Sequence, residues 1–361
     1  MIDKKIFKNK KVIVTGHTGF KGTWLSLWLS IMGAKVLGIS KNIPTEPSHF
    51  KSINLKKKIK NSKINICNYN KLSNVFKKYQ PDFVFHLAAQ SLVKKSYLNP
   101  IETWHSNTIG TLNVLESLRQ IKKKVYVVII TSDKSYKNFE ISRGYKENDL
   151  LGGKDPYSAS KGSAEFAIQS YIKSFFSNKK NNVFISVARA GNVIGGGDWS
   201  TDRLIPDCIK SYSNNKIASI RSPNSTRPWQ HVLEIIYGYL TLASKIYLDK
   251  KLHGEVFNFG PGKKSNFTVL YILSKIKNNL PNFKWKIRKN KYNFFESKLL
   301  KLNSNKANKK LGWSSILTIN ETTTLVSDWY NFFYKNKKKD KQLYKMSVNQ
   351  INYYLSKLKN K

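Results

Sequence analysis

The chain has 361 residues, is 40% hydrophobic and carries a formal net charge of +43, which predicts a large core with a smaller companion lobe. No apolar run approaches the roughly 18 residues of a membrane span, and a basic start running straight into Val12-Ile13-Val14 leaves no room for a secretory signal. Two distant cysteines, Cys67 and Cys208, make neither a disulfide framework nor a metal spacing, so no metal is expected and a reducing cytoplasm is.

In chain order, Lys11–Thr15 reads as a strand, Gly22–Met32 as a helix and Lys35–Ile39 as the next strand. Lys71–Lys78 reads as a helix, Phe83–Leu87 as a strand, and Asn107–Arg119 as a helix. Val125–Thr131 is an almost unbroken β-branched run, as a buried parallel strand requires. Tyr157–Phe176 is a long helix and Val183–Ala188 a further strand. This alternation predicts an α/β fold, a Rossmann-type doubly wound parallel sheet. After about Gly195 prolines punctuate shorter elements, which predicts a smaller, mixed α/β substrate-binding lobe. The expected division is 1–195 for the cofactor-binding domain, 196–335 for the lobe with segments returning to the sheet, and 336–361 for a basic tail. In that tail a solvated lysine run from Lys335 precedes a short amphipathic helix. Elsewhere the lysines are spread along the whole chain, so the charge reads as a solvated basic surface rather than a nucleic-acid footprint. A nucleotide-type substrate would still gain from that field.

The segment Thr15-Gly16-His17-Thr18-Gly19-Phe20-Lys21-Gly22 follows a strand and opens a helix. Glycine here permits a tight turn and close backbone approach to a pyrophosphate, while the helix N-terminus offers free N–H groups. Two later segments fit the same use: His86-Leu87-Ala88-Ala89-Gln90 at a strand end, and Asn107 opening a helix. The second strand ends Ser40-Lys41, without the acid that would bind a ribose 2′-hydroxyl, which leaves NAD versus NADP open.

Asp155-Pro156-Tyr157-Ser158-Ala159-Ser160-Lys161 places Tyr157 and Lys161 four apart on one helix face. A neighbouring ammonium is expected to lower the tyrosine pKa, so that Tyr157 can take a hydroxyl proton while hydride leaves the same carbon for a nicotinamide. Thr131-Ser132-Asp133-Lys134 ends the central strand and adds a hydroxyl, an acid and a base, the inventory for eliminating water beside a carbonyl. Asn192 suits a diphosphate contact, and Arg203, Arg221 and Arg227 are candidate phosphate clamps. Trp229 and His231 read as packing residues.

Together these motifs, with Pro44–Ser48, Arg189–Trp199, Arg203–Asp207 and Arg227–Val232, resemble the extended short-chain dehydrogenase/reductase family over residues 8–335. Within it they are most similar to the nucleotide-sugar 4,6-dehydratases of the CDP-glucose branch, where Asp133-Lys134 stands for the commoner Asp-Glu. The resemblance implies an NAD-dependent hydro-lyase acting on CDP-glucose, with Tyr157 as first base, Asp133 as acid and Lys134, if neutral, as the base at sugar carbon 5. It places Gly16 to Gly22, Ser40, Asn65 and Ile66 against the cofactor. Leu87, Ala88, Ala89, Gln90, Asn107, Thr131, Tyr157 and Lys161 complete that site. Gln90, Ser91, Ser132, Asn192, Arg203, Leu204, Arg221 and Arg227 fall to the substrate. It further implies a cytoplasmic homodimer or dimer of dimers through the Asn107–Arg119 and Tyr157–Phe176 helices, serving deoxysugar and lipopolysaccharide O-antigen biosynthesis, with no nucleic-acid or membrane partner. The alternatives are another nucleotide-sugar 4,6-dehydratase or a 4-epimerase, and, in a different class, a basic nucleic-acid-binding protein on a reductase fold.

Overall fold

The computed structural model describes residues 2–178, 180–262, 266–288, 299–335 and 340–360. Residues 336–339 of the basic run therefore lie outside the described residues. The strands of the N-terminal half are β1 (Lys11–Thr15), β2 (Lys35–Ser40), β3 (Lys60–Lys63), β4 (Phe83–His86), β5 (Val125–Ile130) and β6 (Val183–Ala190). Two short strands, β7 (Ala218–Ile220) and β8 (Thr226–Pro228), stand apart before β9 (Val256–Phe259) rejoins the main sheet. That sheet is parallel throughout, in the order β3-β2-β1-β4-β5-β6-β9. All six residues of β5 are buried, as its β-branched run requires of a central strand covered on both faces. The order reverses between β1 and β4, and ligands of such sheets bind beyond the strand ends at that reversal.

One face is covered by α1 (Phe20–Ile31) and α2 (His49–Ser52), with helices from the C-terminal half, and the other begins with α3 (Tyr69–Tyr79). After β4 come α4 (Val93–Leu98), α5 (Pro100–Trp104), one π-helical turn at His105–Ile109, and α6 (Gly110–Leu118). Asn107 thus sits in a widened turn just before the regular helix that the sequence placed it in. The turn keeps its side chain on Gln90 and Ser160. The segment with Tyr157 and Lys161 follows in α7 (Pro156–Phe175), where Pro156 occupies the first turn and Asp155 caps it by accepting from the Ser158 N–H at 3.0 Å.

Beyond β6, α8 (Leu204–Ser213) packs beside β7, and β8 pairs with β10 (Asn266–Thr268), which leads into α10 (Val269–Asn279). Strand β11 (Trp285–Ile287) lies parallel to β7. These are the elements of the smaller lobe, whereas α9 (Val232–Leu248) returns to pack on β5 and β6. Helices α11 (Asn305–Leu311), α12 (Ile319–Lys335) and α13 (Asp340–Lys359) close the described chain. The tail is more than the short helix expected of it: α13 runs 20 residues and docks on α1, α2 and α12. Leu343, Ser347, Gln350, Ile351 and Tyr354 recur three to four apart and are buried there.

One buried carboxylate anchors that corner. Glu234 on α9 accepts from the Ile316 and Leu317 N–H groups at 2.8 and 2.7 Å through one oxygen, and from the Tyr354 hydroxyl at 2.7 Å through the other. We expect Tyr354→Phe, which leaves that buried oxygen short of a donor, to cost about 1–3 kcal/mol in urea unfolding. An unshifted midpoint would show that α13 does not depend on this bond.

Candidate active site

The sheet reversal opens into one continuous cleft of about 1270 Å³. That exceeds the roughly 300–1,000 Å³ of a site for one small ligand and suits two held end to end. Its first wall is the glycine loop. Gly16 has φ +76°, and a Cβ there would lie 2.8 Å from the Ala88 nitrogen; a Cβ on Gly22 would lie 2.1 Å from the Gly16 carbonyl oxygen. Only glycine lets β1, the start of α1 and the β4 end approach this closely. Gly19 caps α1 with no side chain, so its first-turn N–H groups have no side-chain acceptor. This cradle fits a dinucleotide pyrophosphate.

The sequence placed Gly16 to Gly22, Ser40, Asn65, Ile66, Leu87, Ala88, Ala89, Gln90 and Thr131 around such a ligand, and all of these except His17 line the cleft. The His17 ring turns away. It lies over Gly38, where a Cβ would come within 2.2 Å, and contacts Ser40 Oγ at 3.0 Å and Asn61 Oδ1 at 2.8 Å. Its side chain therefore braces the loop against β2 and β3. Asn107 is the second correction. Wholly buried, it accepts from the Gln90 N–H at 2.8 Å and donates to the Gln90 carbonyl at 3.1 Å and to Ser160 Oγ at 2.9 Å. It ties the β4 end to the helix that carries Tyr157 instead of facing the ligand.

The second wall carries Ser132, Asp133, Lys134, Tyr157 and Lys161, all lining the same cleft. Ser132 donates to Asp133 at 3.0 Å, and burial pushes the Asp133 carboxyl above the usual carboxylate range, with Lys134 opposing. Such a carboxyl holds a proton more readily than an exposed one and suits an acid. The expected lowering of Tyr157 is overturned: burial dominates and pushes the phenol up to about 12, the hydrogen bond with Ser132 offsetting only part. Burial also brings Lys161 down to about 8, with Glu165 opposing. Desolvation is the largest influence on both groups, and the four-residue spacing alone does not reveal it.

Further along, Ser91, Asn192, Arg203, Leu204, Arg221 and Arg227 line the cleft as the sequence placed them. Trp229 also lines it, though its indole is spent on the Phe267 carbonyl at 2.9 Å, and His231 is buried at the α9 cap. Arg203 is oriented by Asp198 at 3.0 Å. Asp198 is itself held by α12, since its N–H donates to the Tyr330 hydroxyl at 3.0 Å and that hydroxyl donates to its carbonyl.

Residues 13–326 match the family model described as GDP-mannose 4,6 dehydratase. The chain belongs to that family of nucleotide-sugar dehydratases. It is 43% identical over 333 residues to a CDP-glucose 4,6-dehydratase of Salmonella typhimurium, covering 91% of this chain and 93% of that one. In fold it is similar to an epimerase of Methanothermobacter thermautotrophicus, at TM-score 0.79 and 23% identity over 92% and 95% of the two chains. It is likewise similar to a dTDP-glucose 4,6-dehydratase of Bacillus anthracis solved in complex with NAD, at TM-score 0.73 and 22% identity over 92% and 99%.

Two residues of this dehydratase-family site escaped the sequence reading. Glu165 and Arg189 form a wholly buried ion pair beneath the end of β5, with Arg189 Nε donating to Glu165 at 2.7 Å. The spacing Lys161–Glu165, one further helical turn, was the available signal. We expect Arg189→Met, which strands a buried carboxylate, to lower stability by about 3–5 kcal/mol in denaturant titration. The double change with Glu165→Leu should recover a substantial part of that loss; no recovery would show that the pair is not coupled.

Proposed function

We propose that this chain is a CDP-glucose 4,6-dehydratase, converting CDP-D-glucose to CDP-4-keto-6-deoxy-D-glucose and water with bound NAD. The observation that carries the reading is the buried, pKa-raised Asp133, hydrogen-bonded to Ser132 and sharing one cleft with Tyr157, Lys134 and the arginines. A simple dehydrogenase or epimerase has no use for an acid at that place. The Salmonella typhimurium relative, whose name carries this activity, supports the choice of substrate.

When bound, NAD supplies the hydride acceptor for sugar carbon 4 and returns the hydride to carbon 6, so turnover carries no net redox. NAD is favoured over NADP because Lys41, the cation beside the ribose position, is already paired with Glu102 at 2.7 Å. Gly16, Gly19 and Gly22 would hold the pyrophosphate, with Asn65 and Ile66 at the adenine end and Leu87 to Gln90 beside the ring. In the sugar pocket Tyr157 takes the proton of the carbon 4 hydroxyl, with the Ser132 hydrogen bond and the Arg203 charge working against the burial that raises its phenol. The ketone acidifies the carbon 5 proton, which Lys134 in its neutral form removes and gives back to carbon 5 as the hydride reaches carbon 6. Asp133 then protonates the carbon 6 hydroxyl as it leaves as water. Asn192, Arg203, Leu204, Arg221, Arg227 and Ser91 hold the diphosphate and sugar.

Purified protein incubated with NAD and CDP-, dTDP-, GDP- or UDP-glucose should give the alkali-induced ultraviolet absorbance of a 4-keto-6-deoxy sugar, most with the CDP sugar. No product from any sugar would end the dehydratase reading, and product from dTDP-glucose alone would end the base preference. Asp133→Asn should still reduce the nicotinamide in a single turnover while product formation falls by about 10²–10⁴. Undiminished turnover would remove Asp133 from the chemistry.

We also propose a cytoplasmic homodimer serving deoxysugar supply for surface polysaccharide such as lipopolysaccharide O-antigen. No helix among the described residues is long and apolar enough to cross a membrane. Leu98 (69% exposed) and Ile101 (74%) on α4 and α5, with Phe166 (58%) on α7, leave apolar side chains in water on neighbouring helices. Ile101→Glu combined with Phe166→Glu should shift the mass by light scattering from dimer to monomer, and an unchanged mass would place the interface elsewhere.

A further inference from the structure

Five carboxylates line the cleft: Glu102, Asp133, Asp198, Asp202 and Asp207. Four are accounted for. Glu102 pairs with Lys41 and Lys95, Asp133 accepts from Ser132, Asp198 orients Arg203, and Asp202 meets Lys94 at 3.1 Å and Arg221 at 4.0 Å. The Asp207 side chain has no hydrogen bond or ion pair among the described residues, although Arg221 and Lys210 lie near enough to pull on its charge. A cleft that must accept a diphosphate gains nothing from a free anion unless the ligand itself brings a donor to it.

The position of Asp207 says which part of the ligand that is. Leu204, Asp207, Ser211 and Asn214 follow one another at three- to four-residue intervals along α8 and its cap, and all four line the cleft. Arg203 caps the start of this row beside Asp198, so Asp207 lies about 6 Å further along the helix, one turn beyond the phosphate-binding arginine. Across from the row stand Ala218, Ser219 and Ile220 of β7, against which α8 packs. With the sugar at Tyr157 and Asp133 and the diphosphate at the arginines, the nucleoside occupies the far end, between α8 and β7.

We infer that Asp207 is the residue that selects the nucleobase, accepting a hydrogen bond from the exocyclic amine of cytosine. This rests on the CDP-glucose reading of the site. Cytosine presents an N–H₂ donor where uracil and thymine present a carbonyl oxygen, so the carboxylate attracts the first and repels the other two. Partial desolvation at the cleft wall and the charge of Asp202 push the carboxyl of the otherwise exposed Asp207 up to about 6, which still leaves it mostly ionised at neutral pH. Ser211 and Asn214, one and two turns on, extend the polar edge along which a base can lie.

The test compares wild type with Asp207→Asn, whose amide can turn to accept from cytosine or donate to uracil. Measured as kcat/KM for CDP-glucose over UDP-glucose, the wild-type preference should shrink about tenfold or more, the scale of one base-edge contact. The Kd ratio of CMP and UMP, read by calorimetry without turnover, should shrink in parallel. An unchanged ratio in a variant with wild-type melting temperature, or equal binding of CMP and UMP by wild type, would overturn the assignment. Should wild type turn over neither sugar yet bind CMP more tightly than UMP, with that lead lost in the variant, the dehydratase reading would fall while the role of Asp207 stood.

Discussion

Glu165 stands one turn beyond Lys161 on α7, and its carboxylate is where the end of β5, helix α7 and β6 are joined. One oxygen accepts from Thr131 Oγ1 at 2.7 Å, from Ser135 Oγ at 3.2 Å and from Arg189 Nε at 2.7 Å, while the other meets the Arg189 terminal nitrogen. Arg189 in turn donates to the Tyr136 hydroxyl at 2.6 Å and lies over its ring. Burial works against the Arg189 charge and the hydrogen-bonded carboxylate outweighs it, leaving the guanidinium well above its usual range. Such a network is stable only when complete, because a half-satisfied buried charge costs more than an apolar replacement. Its completeness fixes Thr131 and Ser135 on either side of Ser132-Asp133-Lys134, so Asp133 and Lys134 are held to the helix of Tyr157 by something other than loop packing.

The sheet was legible in the sequence because parallel strands covered on both faces must be apolar without interruption, and Val125–Ile130 allows no other use. The glycine loop was legible for a similar reason: few residues can stand where a Cβ would meet backbone at 2.1 Å. Which residues enclose the cleft was also legible from the motifs, but which way each side chain turns was not. His17 and Asn107 sit among cleft residues and face inward because partners from β3 and from α7 capture them, and those partners lie 44 and 53 positions away. The Tyr157 phenol shows the same limit for electrostatics. Spacing reveals that Lys161 shares its helix face, while the burial that dominates its proton affinity is a property of the whole fold.

The C-terminal helices enter the site by a route that no local pattern announces. Trp24 on α1 donates to the Gly196 carbonyl at 2.9 Å, and a Cβ on Gly196 would strike the Trp329 ring at 2.0 Å. Tyr330, next to Trp329 on α12, grips the backbone of Asp198, and Asp198 holds Arg203. The cleft-lining Arg203 is thus set by an aromatic layer that includes α12, and α12 is set by α13 through Trp329 Nε1, which donates to Ser347 Oγ at 3.0 Å. A tail that reads as a solvated lysine run and a short amphipathic helix is, from Asp340 onward, part of what fixes the cleft.

A chain with 64 Lys and Arg against 21 Asp and Glu inverts the usual weight of charged residues. A lysine at a given place says little, because the composition puts one nearly everywhere; an acid is scarce, and long-range attraction to the surrounding cations holds it ionised without any specific partner. Where acids are buried or face the cleft here, their roles differ. Glu165 joins β5, α7 and β6, Glu234 seats the C-terminal helix, Asp133 lines the cleft and Asp198 aims an arginine. By that measure the net charge of +43 carries less information about partners than the positions of the few anions within it. The basic surface raises the local concentration of any anionic ligand alike, whether nucleotide sugar or polynucleotide. Discrimination among such ligands needs contacts that repel the wrong one, and in a cleft lined by arginines the group able to repel a carbonyl edge is a carboxylate.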